Sequence, residues 1–269
     1  TYNQKVASII KFFQNEGRSS FQKWLNRISR YKPIILPILE EEGVPSELFY
    51  LAMIESGLNP NAYSYAHASG IWQFIASTGK NYGLKKNWWI DERRDFEKST
   101  RAAAHYLKDL FEEFDDWYLA FAAYNCGSGR VRKVIKRQNT NDYWKLSRLP
   151  AQTRNYVPNI MAAIFIANDP GKYGFALVED GKMEWTMVDI KKSVSLEVIG
   201  ECAKLEIGLL QKYNPELKQG VLPPLEEGQI YHFRMPVAAS SDFDSLFAEV
   251  EVEKIQEVVF LDHKVRRGE

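Results

Sequence analysis

The periodicity of the chain changes at Asp169-Pro170-Gly171, and that change divides it into two kinds of structure. Before it, apolar residues recur at three- and four-residue spacings and few stretches alternate, the mark of packed amphipathic helices. After it come strand-like pieces at 185–190 and 229–235, with a two-helix pattern at 195–203 and 206–214 between them. A β-α-α-β order over about fifty residues is too small for a large core of its own and reads as an appended module. The expected architecture is a mainly α domain followed by a small α+β module.

The helical part divides at punctuation residues. One or two helices are expected over 4–29, interrupted near Gly17, and a short one over 31–42, with Pro33 near its start and Gly43 at its end. Pro45 and Ser46 open a nearly all-apolar helix that runs through Glu55 to Gly57. An amphipathic helix is expected over 98–114, with Ala103, Tyr106, Leu107, Leu110 and Phe114 inward. An apolar helix follows over 116–125, closed by Gly127, then a short basic one over 130–137 and a long one over 151–168.

Composition excludes some classes of function. Lys plus Arg equals Asp plus Glu, so the formal net charge is zero, which argues against a nucleic-acid binder. No apolar run is long enough to span a membrane. Cys126 and Cys202 match no metal or redox spacing and read as two unpaired residues. No metal site and no cofactor are expected. The 13% aromatic content, with seven Trp and fourteen Tyr, suits stacking on flat ligand rings as well as a core.

Three segments carry chemistry. Leu48, Leu51, Ala52 and Glu55 share one helix face by the i, i+3, i+4, i+7 rule. A carboxyl on an apolar stripe is desolvated, and the negative end of the helix dipole also raises its pKa. That would suit a general acid, while a terminal Glu turned to solvent fits the helix equally well. In Gly70-Ile71-Trp72-Gln73-Phe74, a lone Gln stands between aromatics, either as a hydrogen-bonding group for a sugar or as an exposed junction residue. In Ala123-Tyr124-Asn125-Cys126-Gly127, a phenol and an amide sit at a helix end that is otherwise an ordinary C-terminus. Asp91, Glu92, Asp95 and Glu97, and the cluster Glu112, Glu113, Asp115 and Asp116, read as solvated surface.

Taken together and in order, these segments resemble the lytic transglycosylases related to goose-type lysozyme, the glycoside hydrolase family 23 group. Glu55-Ser56 matches the Glu-Ser motif, Gly70 to Gln73 the Gly-x-x-Gln motif, and Ala123 to Gly127 the Ala-Tyr-Asn-x-Gly motif. Thr153 to Val157 matches Thr-x-x-Tyr-Val. The Gly-Ile-Trp-Gln-Phe form, with the Ser-Thr-Gly and Tyr-Gly-Leu that follow, is most similar to the membrane-bound lytic murein transglycosylase D branch. One departure is Gln152, where the family usually has Glu. The resemblance implies a lysozyme-like catalytic domain over 31–172, on which an N-terminal helical segment, 1–30, packs. Residues 173–236 resemble a divergent LysM module, recognised by Leu209-Leu210-x-x-Tyr-Asn-Pro-Glu-Leu. Residues 237–269 read as a linker, with a strand-like run at 258–261 and the opening of a further LysM repeat at 263–269.

The same resemblance implies cleavage of the β-1,4 bond between N-acetylmuramic acid and N-acetylglucosamine in peptidoglycan, with 1,6-anhydro ends as product. Glycosidases usually use two carboxylates, and no second one stands in these motifs. Glu55 would therefore act as acid and then base. Ser56 and Gln73 would orient Glu55 or the acetamido group, Tyr124 and Asn125 would hold the glycan, and Tyr156 would reach the site from the last helix. A goose-type lysozyme hydrolase and a non-enzymatic peptidoglycan-binding protein are the alternatives. The expected partner is the glycan strand, met by a monomer in the cell envelope. Thr1 is not Met, and the chain reads as a fragment whose targeting segment was removed. A periplasmic lipoprotein of the outer membrane is the expected parent.

Overall fold

The computed structural model describes residues 2–178 and 180–250. It divides into two compact units, Thr1–Met183 and a second from Glu184 onward.

The first unit is helical. α1 (Gln4–Gln14) starts where the Asn3 side chain accepts a hydrogen bond from the Val6 amide. α2 (Arg18–Glu41) is one helix of 24 residues, where the sequence predicts a break near residue 30. Pro33 and Pro37 each remove an amide donor inside it. The buried stripe of Phe21, Leu25, Tyr31, Ile35, Ile38 and Leu39 nevertheless runs through without a change of face. Burial of a large apolar side chain contributes about 1.5–3 kcal/mol, and six of them in register outweigh the prolines. The expected boundary between 1–30 and 31–172 thus falls inside a helix.

A single 3-10 turn at Ser46–Leu48 leads into α3 (Phe49–Ser56), which ends at Gly57 in the left-handed region. α4 (Ala76–Asn81) is short, and α5 (Phe96–Phe114) is capped by Asp95, whose carboxylate accepts from the Glu97 and Lys98 amides. α6 (Trp117–Cys126), α7 (Ser128–Gln138) and α8 (Ala151–Asn168) complete the unit. α6 packs on α5, α7 and α8, and its Ala120, Ala122 and Ala123 are fully buried. Small side chains allow that close approach. α1 packs on α8, with the Tyr2 and Phe165 rings edge to face at 5.5 Å.

The second unit has the expected β-α-α-β order. β1 (Trp185–Ile190) pairs antiparallel with β2 (Tyr231–Pro236), Trp185 opposite Pro236. α9 (Leu196–Ala203) and α10 (Ile207–Tyr213) lie between them in sequence. Asn214 is buried and links α10 to β2. Its amide donates to the Leu210 and Arg234 carbonyls and accepts from the Arg234 amide. Beside it the buried Glu216 and Arg234 pair at 3.2 Å. The sequence reading of a linker from 237 is corrected, because α11 (Phe243–Glu249) packs on α9. Lys192 donates to the Phe247 and Val250 carbonyls at its C-terminus. The runs expected at 258–261 and 263–269 lie outside the described residues. No helix of the described residues is long and apolar enough to cross a membrane.

Candidate active site

The site begins with the end of α3. Leu48, Leu51 and Ala52 are fully buried, so the stripe that Glu55 shares faces the interior. Gly57 ends the helix at φ +62°, and a Cβ there would lie 2.2 Å from Nε1 of Trp24 on α2. Arg27, also on α2, donates to the Gly57 carbonyl at 2.8 Å. The last turn of α3 is therefore held from below, and Glu55 with it.

Glu55 is half-buried on the floor of a groove of about 870 Å³. Burial raises its pKa to about 7, partly opposed by a hydrogen bond that Tyr156 of α8 donates to its Oε1. A carboxyl raised this far holds its proton much closer to neutral pH than an ordinary Glu does, the condition a general acid needs. Glu55 is the one carboxylate among the described residues that line the groove. Burial, and the Glu55 charge after it, hold the Tyr124 and Tyr156 phenols well above their ordinary pKa, so both remain protonated donors. Tyr156→Phe would remove a donor that favours the ionised acid. The pKa of Glu55 then rises further, and the alkaline limb of the pH–rate profile moves to higher pH. An unmoved limb would show that Tyr156 does not tune Glu55.

The other expected residues occupy different positions. Gln73 and Asn125 line the groove. Gln73 donates from Nε2 to the Gly70 and Ala62 carbonyls, at 2.8 and 3.2 Å, which leaves Oε1 as an acceptor. The Asn125 carbonyl accepts from the Thr153 hydroxyl at 2.8 Å, which fixes its amide and leaves Nδ2 as a donor. Tyr124 lines the groove with its ring, while its hydroxyl donates to the Trp72 carbonyl at 2.7 Å. Two residues of the set, Ser56 and Tyr156, are not among the residues that line the groove. The Ser56 hydroxyl faces the Ile71 carbonyl at 2.8 Å and accepts from the Asn59 amide at 3.2 Å, so it ties α3 to the next loop and is not placed to bind sugar. Tyr156 is buried beneath Glu55 and contacts that acid, not the space above it.

The groove wall at 62–74 is fixed by residues that the sequence reading assigned to solvent. Asp91, Glu92 and Asp95 are buried. Arg93, 1% exposed, makes a bidentate pair with Asp91 at 2.7 and 2.8 Å. Its remaining nitrogen donates to the His67 and Phe74 carbonyls, at 2.8 and 2.9 Å. Burial alone would raise the Asp91 carboxyl, but the Arg93 guanidinium holds it below its ordinary value. Trp72 is anchored through Nε1 to the Thr100 hydroxyl of α5 at 2.8 Å. Gly70, at φ +86°, lies so close to this clamp that a Cβ would sit 1.7 Å from the Arg93 carbonyl oxygen. Gly70→Ala is therefore expected to cost about 3 kcal/mol or more of stability, read by thermal or urea unfolding. Tyr106, Cys126, Arg130 and Thr153 also line the groove. Cys126 is free, and burial raises its thiol pKa. Among the described residues no three of His, Cys, Asp or Glu are grouped to hold a metal ion.

Comparison with known proteins identifies the family of the chain. Residues 33–147 match the Transglycosylase SLT domain, and residues 184–252 match the LysM-like domain of lytic transglycosylase MltD. Membrane-bound lytic murein transglycosylase D of Escherichia coli is 38% identical over 190 residues, which are 68% of this chain and 42% of that protein. The chain thus spans less than half the length of that relative. A putative tributyltin chloride resistance protein of Alteromonas is 33% identical over 186 residues, 62% of this chain and 89% of that one. The 70 kDa soluble lytic transglycosylase of E. coli superposes with a TM-score of 0.47 at 21% identity, over 65% of this chain and 32% of that one. The α8 residues Thr153 and Tyr156 lie beyond the first matched segment, yet they bind Asn125 and Glu55. With the Glu-Ser, Gly-x-x-Gln and Ala-Tyr-Asn-x-Gly segments gathered at one groove, and a LysM-like module after it, this chain belongs to the transglycosylase SLT family.

Proposed function

We propose that the chain is a peptidoglycan lytic transglycosylase that cleaves the β-1,4 bond after N-acetylmuramic acid. The observation that carries this reading is the half-buried Glu55, poised near pH 7 and alone among the described groove residues in having a carboxyl group. One acid suffices where the substrate supplies the second function. Protonated Glu55 gives its proton to the glycosidic oxygen as the C1–O4 bond breaks. The N-acetyl oxygen of the same sugar holds C1 meanwhile. The ionised Glu55 then takes the C6 hydroxyl proton, O6 bonds to C1, and the N-acetyl oxygen departs. Glu55 ends protonated, no water is consumed, and a 1,6-anhydro ring remains. Gln73 Oε1 and Asn125 Nδ2 offer one acceptor and one donor to an acetamido group. Ser56 and Tyr156 act as positioning residues for Glu55.

The relatives named as membrane-bound murein transglycosylases support action in the cell envelope. Purified sacculi incubated with the chain should release soluble muropeptides. Binding without release would instead favour a non-enzymatic peptidoglycan-binding protein. The LysM-like module, as a domain over 184–252, is proposed to bind the same glycan.

A further inference from the structure

We propose that Tyr65 is a stacking platform for a pyranose ring of the glycan, at the rim of the groove that holds Glu55. This deepens the proposed function and rests on the reading of that groove as a glycan site. Tyr65 is fully exposed, at 107% of the reference accessibility, and it lines the same groove as Glu55, Gln73 and Asn125. Ile75, on the same groove, is also exposed, at 44%. A single exposed aromatic needs no explanation in itself. Two exposed apolar side chains on the lining of one groove form a surface that a ligand would cover.

The loop that carries Tyr65 is tied down by hydrogen bonds on both sides of it. The Ser64 amide donates to the Ala68 carbonyl at 2.9 Å, and the Ala68 amide to the Ser64 hydroxyl at 3.1 Å. The Tyr63 hydroxyl and the His67 Nδ1 are hydrogen-bonded at 2.7 Å. From inside, Arg93 holds the His67 carbonyl. Tyr65 thus stands on a pre-organised support, which lowers the ordering cost of binding. A β-1,4-linked N-acetylhexosamine is neutral, and its axial C–H bonds form an apolar face. That face matches the electron-rich face of a phenol, while the equatorial hydroxyl and acetamido groups keep to water or to Gln73.

The test uses the full chain in a Glu55→Gln background, which prevents turnover, and β-1,4 N-acetylglucosamine oligomers of increasing length titrated by calorimetry and fitted to two sites, because the LysM-like module is proposed to bind the same glycan; the groove site is the one that Asn125→Ala weakens. Tyr65→Ala should weaken the hexamer about tenfold, with a loss that grows with oligomer length, and Tyr65→Phe should retain most of the affinity. Tyr65 makes no buried contact, so the variants should melt with the parent. Equal hexamer affinity in Tyr65→Ala overturns the platform, and so does an equal loss in Tyr65→Phe, which would place the effect on the hydroxyl. If the chain with Tyr65 intact binds no oligomer at a site that Asn125→Ala weakens, the reading of the groove itself fails, and the platform with it.

Discussion

Glu55→Gln should lower the rate of muropeptide release from sacculi by about a thousandfold or more while the fold is kept. The size follows from the two duties of one group. A general acid contributes about 10²–10⁴ in rate, and in the proposed mechanism the same residue then accepts the C6 hydroxyl proton. Gln is close to the shape of a protonated Glu, and its Oε1 can still accept from Tyr156. The substitution therefore leaves α3 intact. It also has a stability signature of known sign. The folded pKa of Glu55 lies above its unfolded value, so the stability linked to this group is present at low pH and is lost as pH rises through about 7. The Gln variant lacks that loss, so its melting temperature should gain on the parent as pH rises from 5 to 8. Residual turnover near the parent rate would remove Glu55 from the chemistry.

The second large effect is on stability. Arg93→Ala should cost about 4 kcal/mol, because removing one partner of a buried ion pair costs about 3–5 kcal/mol. It would leave Asp91 buried without its counter-ion and the His67 and Phe74 carbonyls without a donor. Against a typical total of about 5–15 kcal/mol, that is a severe loss. The pH dependence also changes form. In the parent the Asp91 carboxyl is held below its unfolded pKa, so its stabilisation is present above that value and is lost on acidification. Without Arg93, burial raises the Asp91 carboxyl, and the charged form penalises the fold as pH rises. Urea unfolding between pH 4 and 7 reads both. A change below about 1 kcal/mol would mean that the clamp does not hold the groove wall.

Most helices were legible because apolar spacing and punctuation agreed. α8 matches the expected 151–168, and β1 matches 185–190. The misreadings have physical causes. Pro33 resembles the first residue of a helix, and only the continuity of Leu25, Tyr31 and Ile35 on one face shows that α2 passes through it. Asp91, Glu92 and Asp95 look like a solvated charge run because sequence spacing does not reveal that Arg93 turns inward to meet one of them. α11 was missed because its apolar stripe is short, with Phe243 buried and Phe247 stacked on it at 5.1 Å.

At the site, the motifs pointed to candidate residues, but not to the contacts each of them makes. Glu55 alone could have faced solvent or the interior, and Leu48, Leu51 and Ala52 decide for the interior. Ser56 was expected to orient Glu55 or the acetamido group, and Tyr156 to reach the site from the last helix. The Ser56 hydroxyl meets the Ile71 carbonyl, and the Tyr156 hydroxyl donates to Glu55. The Thr153 contact to Asn125 joins α8 to α6 across 28 residues of sequence, a pairing that spacing cannot predict. Gln152 lines the groove itself, where the family pattern has a Glu. An amide there leaves Glu55 as the carboxyl on that surface.

If Glu55 acts as acid and then base within one sugar, no water enters the product. Mass spectrometry of the muropeptides released from purified sacculi decides this. New muramyl ends lighter by one water than reducing ends are expected. New ends at the full reducing-sugar mass would contradict it and make the chain a hydrolase of the goose-type lysozyme kind.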